Sequence, residues 1–286
     1  MVSDVVSLPI SDAKHAVSDW KSTNLGHLAA RVTDSCNYVG MRAIITGIGD
    51  AFSALHYGSS AIIEAPAGLI AIDCPGRLLA MYRAASVSSG IPIEVQAIDD
   101  ILLTHLHGDH SDGLETLGFA RRYLGSEPRR PRLHAVPEVL ERVWEKLGPA
   151  MDGATREHGG MNHLEDYFEP MELIPGQQYE VAGLEVDCRR TLHSVPTAGM
   201  KLRGPSGSIG WSADTEFEMA HIEWLADCDV IVHECGDNFK HTTWAELDTL
   251  GEELKSRIRL IHLPDGSTPP DGPMRLLAEG EVIVSS

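Results

Sequence analysis

Thr104-His105-Leu106-His107-Gly108-Asp109-His110-Ser111-Asp112-Gly113 places three histidines and an aspartate within six residues, 105 to 110. The apolar run Ile101-Leu102-Leu103 before it reads as a strand end, and an amphipathic helix pattern begins near Gly113. Zinc binds imidazole nitrogen and carboxylate oxygen, and a catalytic zinc needs several such ligands plus one open position. A strand tip holds the backbone rigidly, and the turn after it can fold successive side chains toward one point. The same grammar recurs downstream. His193 follows a strand pattern from Gln178 to Thr191, Asp214 follows Ser208-Ile209-Gly210-Trp211-Ser212, and His262 follows Arg257 to Ile261. Strand tips of one sheet can converge on one edge, so these residues and the opening cluster are candidate ligands of one metal centre.

The rest of the chain supports a sheet-based domain. Residues 1–40 are mixed and polar and are expected to form an N-terminal arm, with a catalytic domain over 41–286. Arg42 to Ile48 reads as a strand that ends in Gly47-Ile48-Gly49-Asp50-Ala51-Phe52. Those glycines do not fit GxGxxG, so a tight turn is expected there. Pro66-Ala67-Gly68 reads as the turn of a hairpin between Ser60–Glu64 and Leu69–Asp73. Asp73 ends an apolar strand, where an unpaired carboxylate is costly. It is expected to accept a hydrogen bond from a ligand imidazole, and also to cap the helix after Pro75. Helices are expected from Arg77 to Val87, from Leu114 to Tyr123, from Pro137 onward, from Phe217 to Ala226 and from Trp244 to about Ser256. Thr243 and Glu246 have capping-box spacing at the start of the last. The stretch 148–170 is rich in Gly, Met, His and acid and reads as an insertion or lid, whose His158 and His163 are candidate substrate contacts.

Composition narrows the partners. The formal net charge of −19 disfavours nucleic acid, whose phosphates it repels. The densest basic run, Arg121-Arg122 with Arg129-Arg130 and Arg132, reads as a solvated helix end and loop. Five cysteines without a CxxC pair point to reduced, buried thiols. No run of about 18 apolar residues occurs, so no membrane partner is expected. Met1-Val2-Ser3-Asp4 lacks the basic and apolar regions of a signal peptide, so the cytoplasm is the expected location. A homodimer would form through the arm or the insertion.

His105-x-His107-x-Asp109-His110, with His193, Asp214 and His262 in that order and Asp73 as a leading aspartate, resembles the metallo-β-lactamase superfamily over residues 42–284. The resemblance implies an α/β fold, a four-layer αββα sandwich. It implies that His105, His107 and His193 hold one metal, that Asp109, His110 and His262 hold a second, and that Asp214 bridges them. The expected cofactor is zinc, one or two ions, with manganese or iron as other occupants. A hydroxide between two cations is a nucleophile at neutral pH. Val232-His233-Glu234-Cys235-Gly236 and His241-Thr242-Thr243 resemble the ribonuclease Z branch, in which the glutamate and the second histidine work together in proton donation. Carried over, Glu234 would orient His241 as general acid, and Asp109 joins them among the catalytic residues. His233 and Glu234 also fit a polar strand end satisfied by backbone groups.

The chain departs from that branch. Cys235-Gly236 stands where the branch has Ala-Thr, Leu263-Pro264-Asp265-Gly266 follows His262, and no basic arm for gripping tRNA is evident. A zinc-dependent hydrolase of a small, phosphodiester-like substrate is therefore expected. The alternatives are a hydrolytic dehalogenase of an aromatic compound or a lactone or ester hydrolase, toward which Trp211, Trp244 and Met161 point. A metal-binding regulatory module is the non-enzymatic alternative.

Overall fold

The computed structural model describes residues 41–125, 129–153, 161–237, 240–268 and 270–285; the N-terminal arm and His158 fall outside them. One sheet takes the order β14-β1-β2-β3-β4-β5-β6. Its strands are β1 (Met41–Gly47), β2 (Ser60–Ala65), β3 (Gly68–Ile72), β4 (Ile98–Leu102), β5 (Arg132–Ala135), β6 (Glu169–Glu172) and β14 (Val282–Ser285). The other takes the order β13-β12-β11-β10-β9-β8-β7. Its strands are β7 (Gln178–Val181), β8 (Leu184–Arg190), β9 (Ala198–Gly204), β10 (Gly207–Trp211), β11 (Val230–Glu234), β12 (Ile258–Ile261) and β13 (Arg275–Leu276). Both sheets are mixed. β3 to β6 run parallel, as do β10 to β13. Parallel neighbours end at the same edge, which is how the tips of β3 and β4, and those of β10 to β12, come to lie side by side.

Side chains alternate across a strand with period two, and that alternation sorts the core. Ile209, Trp211 and Val232 of the second sheet share one buried cluster with Ile44, Ile62, Ile70 and Leu102 of the first. Ile231, Ile258 and Leu260 face the other way, into a smaller cluster. There they meet Ile222 and Leu225 of α5 (Met219–Leu225) and Leu247 of α6 (Trp244–Leu247). On the first sheet, α1 (Leu78–Ser89) packs against β1 and α4 (Pro137–Met151) against β6. Helices therefore flank two facing sheets in the αββα arrangement. Burying each aliphatic side chain of this core contributes about 1.5–3 kcal/mol.

Several local readings are corrected. Gln178–Thr191 is a hairpin rather than one strand. It turns at Ala182 and Gly183, with φ 50° and 84°, and alanine gave no turn signal. The helix expected from Trp244 breaks into α6 and α7 (Glu252–Arg257). The Thr249 hydroxyl bonds back to the Glu246 carbonyl, and Gly251 precedes the second piece. The capping box of Thr243 and Glu246 forms. Within 148–170, α4 continues to Met151 and Glu169 opens β6; residues 154–160 lie outside the description. Asp73 caps no helix. Arg77, with φ 60°, precedes α1 and makes no side-chain cap. The basic run is not simply solvated: Arg121 is buried and pairs with Asp99, and Arg132 grips Asp100.

Candidate metal centre

The loop after β4 is held from three sides. Below it, Asp73 Oδ1 accepts the Thr104 backbone N–H at 2.8 Å, and the Thr104 hydroxyl donates to the same carboxylate. His110 Nδ1 donates to Asp73 Oδ2 at 2.8 Å. Beside it, Lys146 Nζ of α4 donates to the Leu106 carbonyl at 3.0 Å and the Ser111 hydroxyl at 2.7 Å, and pairs with Asp112. On the third side runs Gly58, where a Cβ would lie 2.1 Å from the Asp109 carbonyl, so only glycine fits. The short helix α2 (Gly108–Ser111) then presents Asp109 and His110, and α3 (Leu114–Tyr123) follows.

Three other tips need sharp bends. Asp73, Ala213 and His262 have φ of 60°, 53° and 62°, the left-handed region that costs alanine about 1–2 kcal/mol and that Asp and His enter more readily. The bend at Ala213 aims Asp214 into the site. His262 is anchored by its backbone N–H on the Ile48 carbonyl at 2.8 Å.

All seven ligand candidates meet. His105, His107, His193 and Asp214 form one set, and Asp109, His110, Asp214 and His262 a second; within each, one donor atom per residue lies within 4.8 Å of the others. Asp214 belongs to both. Its Oδ1 lies 3.4 Å from His110 Nε2, and its Oδ2 lies 3.7 Å from His105 Nε2, 3.7 Å from His193 Nε2 and 3.5 Å from His262 Nε2. His105 Nε2 and His110 Nε2 are buried and make no hydrogen bond. An unsatisfied buried nitrogen costs about 1–3 kcal/mol, and two of them converging on carboxylates fit a divalent cation with nitrogen and oxygen ligands.

The charges at the site follow from burial and neighbours. Burial pushes the imidazoles of His105 and His193 down, His193 to about 4. Burial acts against charge on His110 and His262 too, but the neighbouring Asp214 and Asp109 carboxylates outweigh it, holding both above the ordinary value, His262 at about 9. Asp109 and Asp214, though buried, lie well below the usual carboxylate range because these imidazoles surround them. The side chains alone thus place cationic groups between the carboxylates, where metal ions would serve the same electrostatic purpose.

Glu234, the last residue of β11, points at the same space. Its Oε1 accepts the Thr215 N–H at 2.8 Å, the Thr242 N–H at 3.3 Å and His241 Nδ1–H at 3.2 Å. Glu234, His241 and His262 also lie within 4.8 Å, a third set able to hold an ion. The two backbone donors on Oε1 favour an orienting role instead. With Nδ1–H committed to Glu234, His241 keeps Nε2 for another partner. Burial disfavours its charge, but the Glu234 bond and the Glu234 and Asp214 charges outweigh that and raise its pKa. His233 is buried with Nδ1 on the Glu234 carbonyl at 2.7 Å, and the Cys235 thiol is pushed up to about 12 by burial, unsuited to nucleophilic attack.

A cavity of about 370 Å³ opens over these groups, lined by His107, Asp109, His193, Asp214, His241 and His262, and also by Ala51, Phe52, Gly108, Ser194 and Lys240. The sequence reading passed over Phe52, Ser194 and Lys240, which carry no ligand signature. His163 does not line the cavity. It is exposed and starts a short 3₁₀ helix, its N–H on Asp166. Trp211 is buried in the core, and neither Trp244 nor Met161 lines the cavity. Among the described residues no helix is long and apolar enough to cross a membrane.

Comparison with known proteins agrees with the fold. The family model described as anti-Pycsar protein Apyc1 matches residues 41–283. The anti-Pycsar protein Apyc1 of Saccharibacillus brassicae is 32% identical over 255 residues, 85% of this chain and 99% of its own length. A cAMP/cGMP-dependent 3′,5′-cAMP/cGMP phosphodiesterase B of Dictyostelium discoideum is 25% identical over 185 residues, 58% of this chain but 16% of that longer protein. The metallo-β-lactamase fold protein YhfI of Bacillus subtilis superposes with a TM-score of 0.70 at 17% identity, covering 86% of this chain and all of that one. The fold is thus the metallo-β-lactamase fold.

Proposed function

We infer a phosphodiesterase of 3′,5′-cyclic nucleotides from one premise: the chain belongs to the anti-Pycsar protein Apyc1 family, and so is a hydrolytic enzyme. The phosphodiesterase named among its relatives supplies the substrate class. The observation that carries the reading is the His241–Glu234 pair packed beside the two ligand sets, with His241 on the wall of the same small cavity. At about 370 Å³ the cavity lies at the low end of ligand sites, room for a mononucleotide. The charge of −19 opposes a long polyanion.

His105, His107, His193 and Asp214 would hold one zinc ion, and Asp109, His110, Asp214 and His262 a second. Bound there, divalent cations lower the pKa of water to about 7 and polarise the phosphoryl oxygens. The chain's own groups do the rest. Asp73 fixes the His110 ring so that Nε2 faces the centre. Asp214 spans both sets and holds them in register. Glu234 fixes the His241 tautomer and keeps the ring protonated, and His241 Nε2 delivers the proton to the departing ribose oxygen.

The test is hydrolysis of adenosine 3′,5′-cyclic monophosphate by zinc- or manganese-loaded protein. The wild type turns it over, and His241→Ala loses a factor of about 10²–10⁴ in kcat while retaining its metal. A loaded wild type without phosphodiesterase activity, or a fully active His241→Ala, rejects the assignment.

A further inference from the structure

We propose that Phe52 is the platform on which the substrate's base stacks, and that Asp265 positions it; this rests on the cyclic-nucleotide reading above. Phe52 is 89% exposed, although it lines the cavity together with Asp109, Asp214, His241 and His262. It also lines a narrower cleft beside it, with Asp50, Gly236 and Asp237. A phenylalanine left in water forfeits the burial that ordinarily stabilises it. Here the exposed residue lines the same cavity as the reacting groups, so a nucleotide whose phosphate sits among them can bring its base to the ring.

The ring is bare, but its loop is braced. The Asp265 carboxylate accepts the Ser53 hydroxyl and the backbone N–H groups of Ala54, at 2.8 Å, and Leu55, at 3.2 Å. Asp50 Oδ1 accepts the Phe52 N–H at 3.0 Å. Gly49 N–H donates to the Tyr57 carbonyl at 2.8 Å, and Tyr57 N–H to Glu279 at 2.7 Å, which closes the loop at its base. This is the role of the Leu263-Pro264-Asp265-Gly266 stretch after His262: it ties the Phe52 loop to the wall of the site. An aromatic face held in place before the ligand arrives gives up little entropy on stacking, and every base has a face to stack. Leu55, 73% exposed on the same loop, does not line the cavity and serves as the internal control.

The experiment compares steady-state kinetics on adenosine 3′,5′-cyclic monophosphate and on its abasic analogue, 1-deoxyribose 3,5-cyclic phosphate, with metal content measured for each variant. Stacking holds ground state and transition state alike, so its loss appears in KM. Phe52→Ala is expected to raise KM for the nucleotide roughly tenfold or more, with kcat changed less than about twofold. The abasic analogue is expected to show no such rise. Phe52→Trp keeps KM near wild type, Asp265→Ala raises it to a smaller degree with full metal content, and Leu55→Ala leaves it unchanged. An unchanged KM in Phe52→Ala overturns the platform alone, as does an equal rise on both substrates. A wild type that hydrolyses neither substrate overturns the function itself and the platform with it.

Discussion

Asp73→Asn separates the metal centre from the fold. The carboxylate at that position accepts His110 Nδ1–H at 2.8 Å on one oxygen and Thr104 N–H at 2.8 Å on the other, so both oxygens must be acceptors. An amide offers one acceptor and one donor. If its NH₂ faces His110, the ring must accept at Nδ1 and carry its proton on Nε2, the atom that faces Asp109 and Asp214. If it faces Thr104, two donors collide. Asparagine tolerates φ 60°, so the backbone bend survives. Loss of such a partner typically lowers metal affinity 10–100-fold, about 1.4–2.7 kcal/mol. The fold responds differently. Burial pushes the Asp73 carboxyl up despite the bonds from His110 and Thr104, so at neutral pH its charge works against the folded state. Metal-free Asp73→Asn is therefore expected to melt at or above the wild-type temperature, while the rise in melting temperature on adding metal shrinks. Competition titration with a coloured chelator and melts with and without chelator read both quantities. Wild-type metal affinity, or a metal-free melting temperature several degrees lower, refutes the reasoning.

Two further outcomes follow from contacts away from the ligands. Lys146→Met removes the cation under the Leu106 carbonyl and the Ser111 hydroxyl and is expected to weaken metal binding roughly tenfold, with Lys146→Arg recovering part of it, measured by the same titration. His221 is buried, with Nε2 near the Ser212 carbonyl at 3.1 Å. Burial first, then nearby His233, pushes it down to about 3. Its folded value lies below the unfolded one of about 6.5, so protonation opposes folding, and stability falls as pH drops from 6.5 toward 3. At pH 5 the loss is about 2 kcal/mol, and urea melts of His221→Gln between pH 7 and 5 should lack that increment.

The residues that converge on the candidate centre were legible because each is announced locally. Four stand in one six-residue stretch, and His193, Asp214 and His262 each follow a strand pattern. Asp73 was half legible. A carboxylate at the end of a buried strand demands a partner, but the left-handed bend that turns it away from α1 and toward Thr104 leaves no local trace. Lys146, Asp265 and Phe52 were hidden for the same reason. Lys146 meets its partner across 40 residues and Asp265 across about 210, separations that only the fold closes. Trp211 misled in the opposite way, since composition does not say which face of β10 an indole occupies, and it faces the core.

The left-handed bends at Asp73, Ala213 and His262 bear on how the cell keeps this protein. Ala213 gives up about 1–2 kcal/mol at its bend, and Asp73 and His262, of residue types that enter this region more readily, give up less, against the 5–15 kcal/mol that separates most folded domains from unfolding. Two of the three cannot become glycine without losing a working side chain, so the tension is built into the centre. An ion held there would act as a rivet: at a free concentration a thousand times its dissociation constant it adds about 4 kcal/mol to the folded state. Metal starvation would thus shorten the protein's lifetime as well as silence it, because the bent centre then lacks the ion's contribution and the unfolded fraction open to proteases rises.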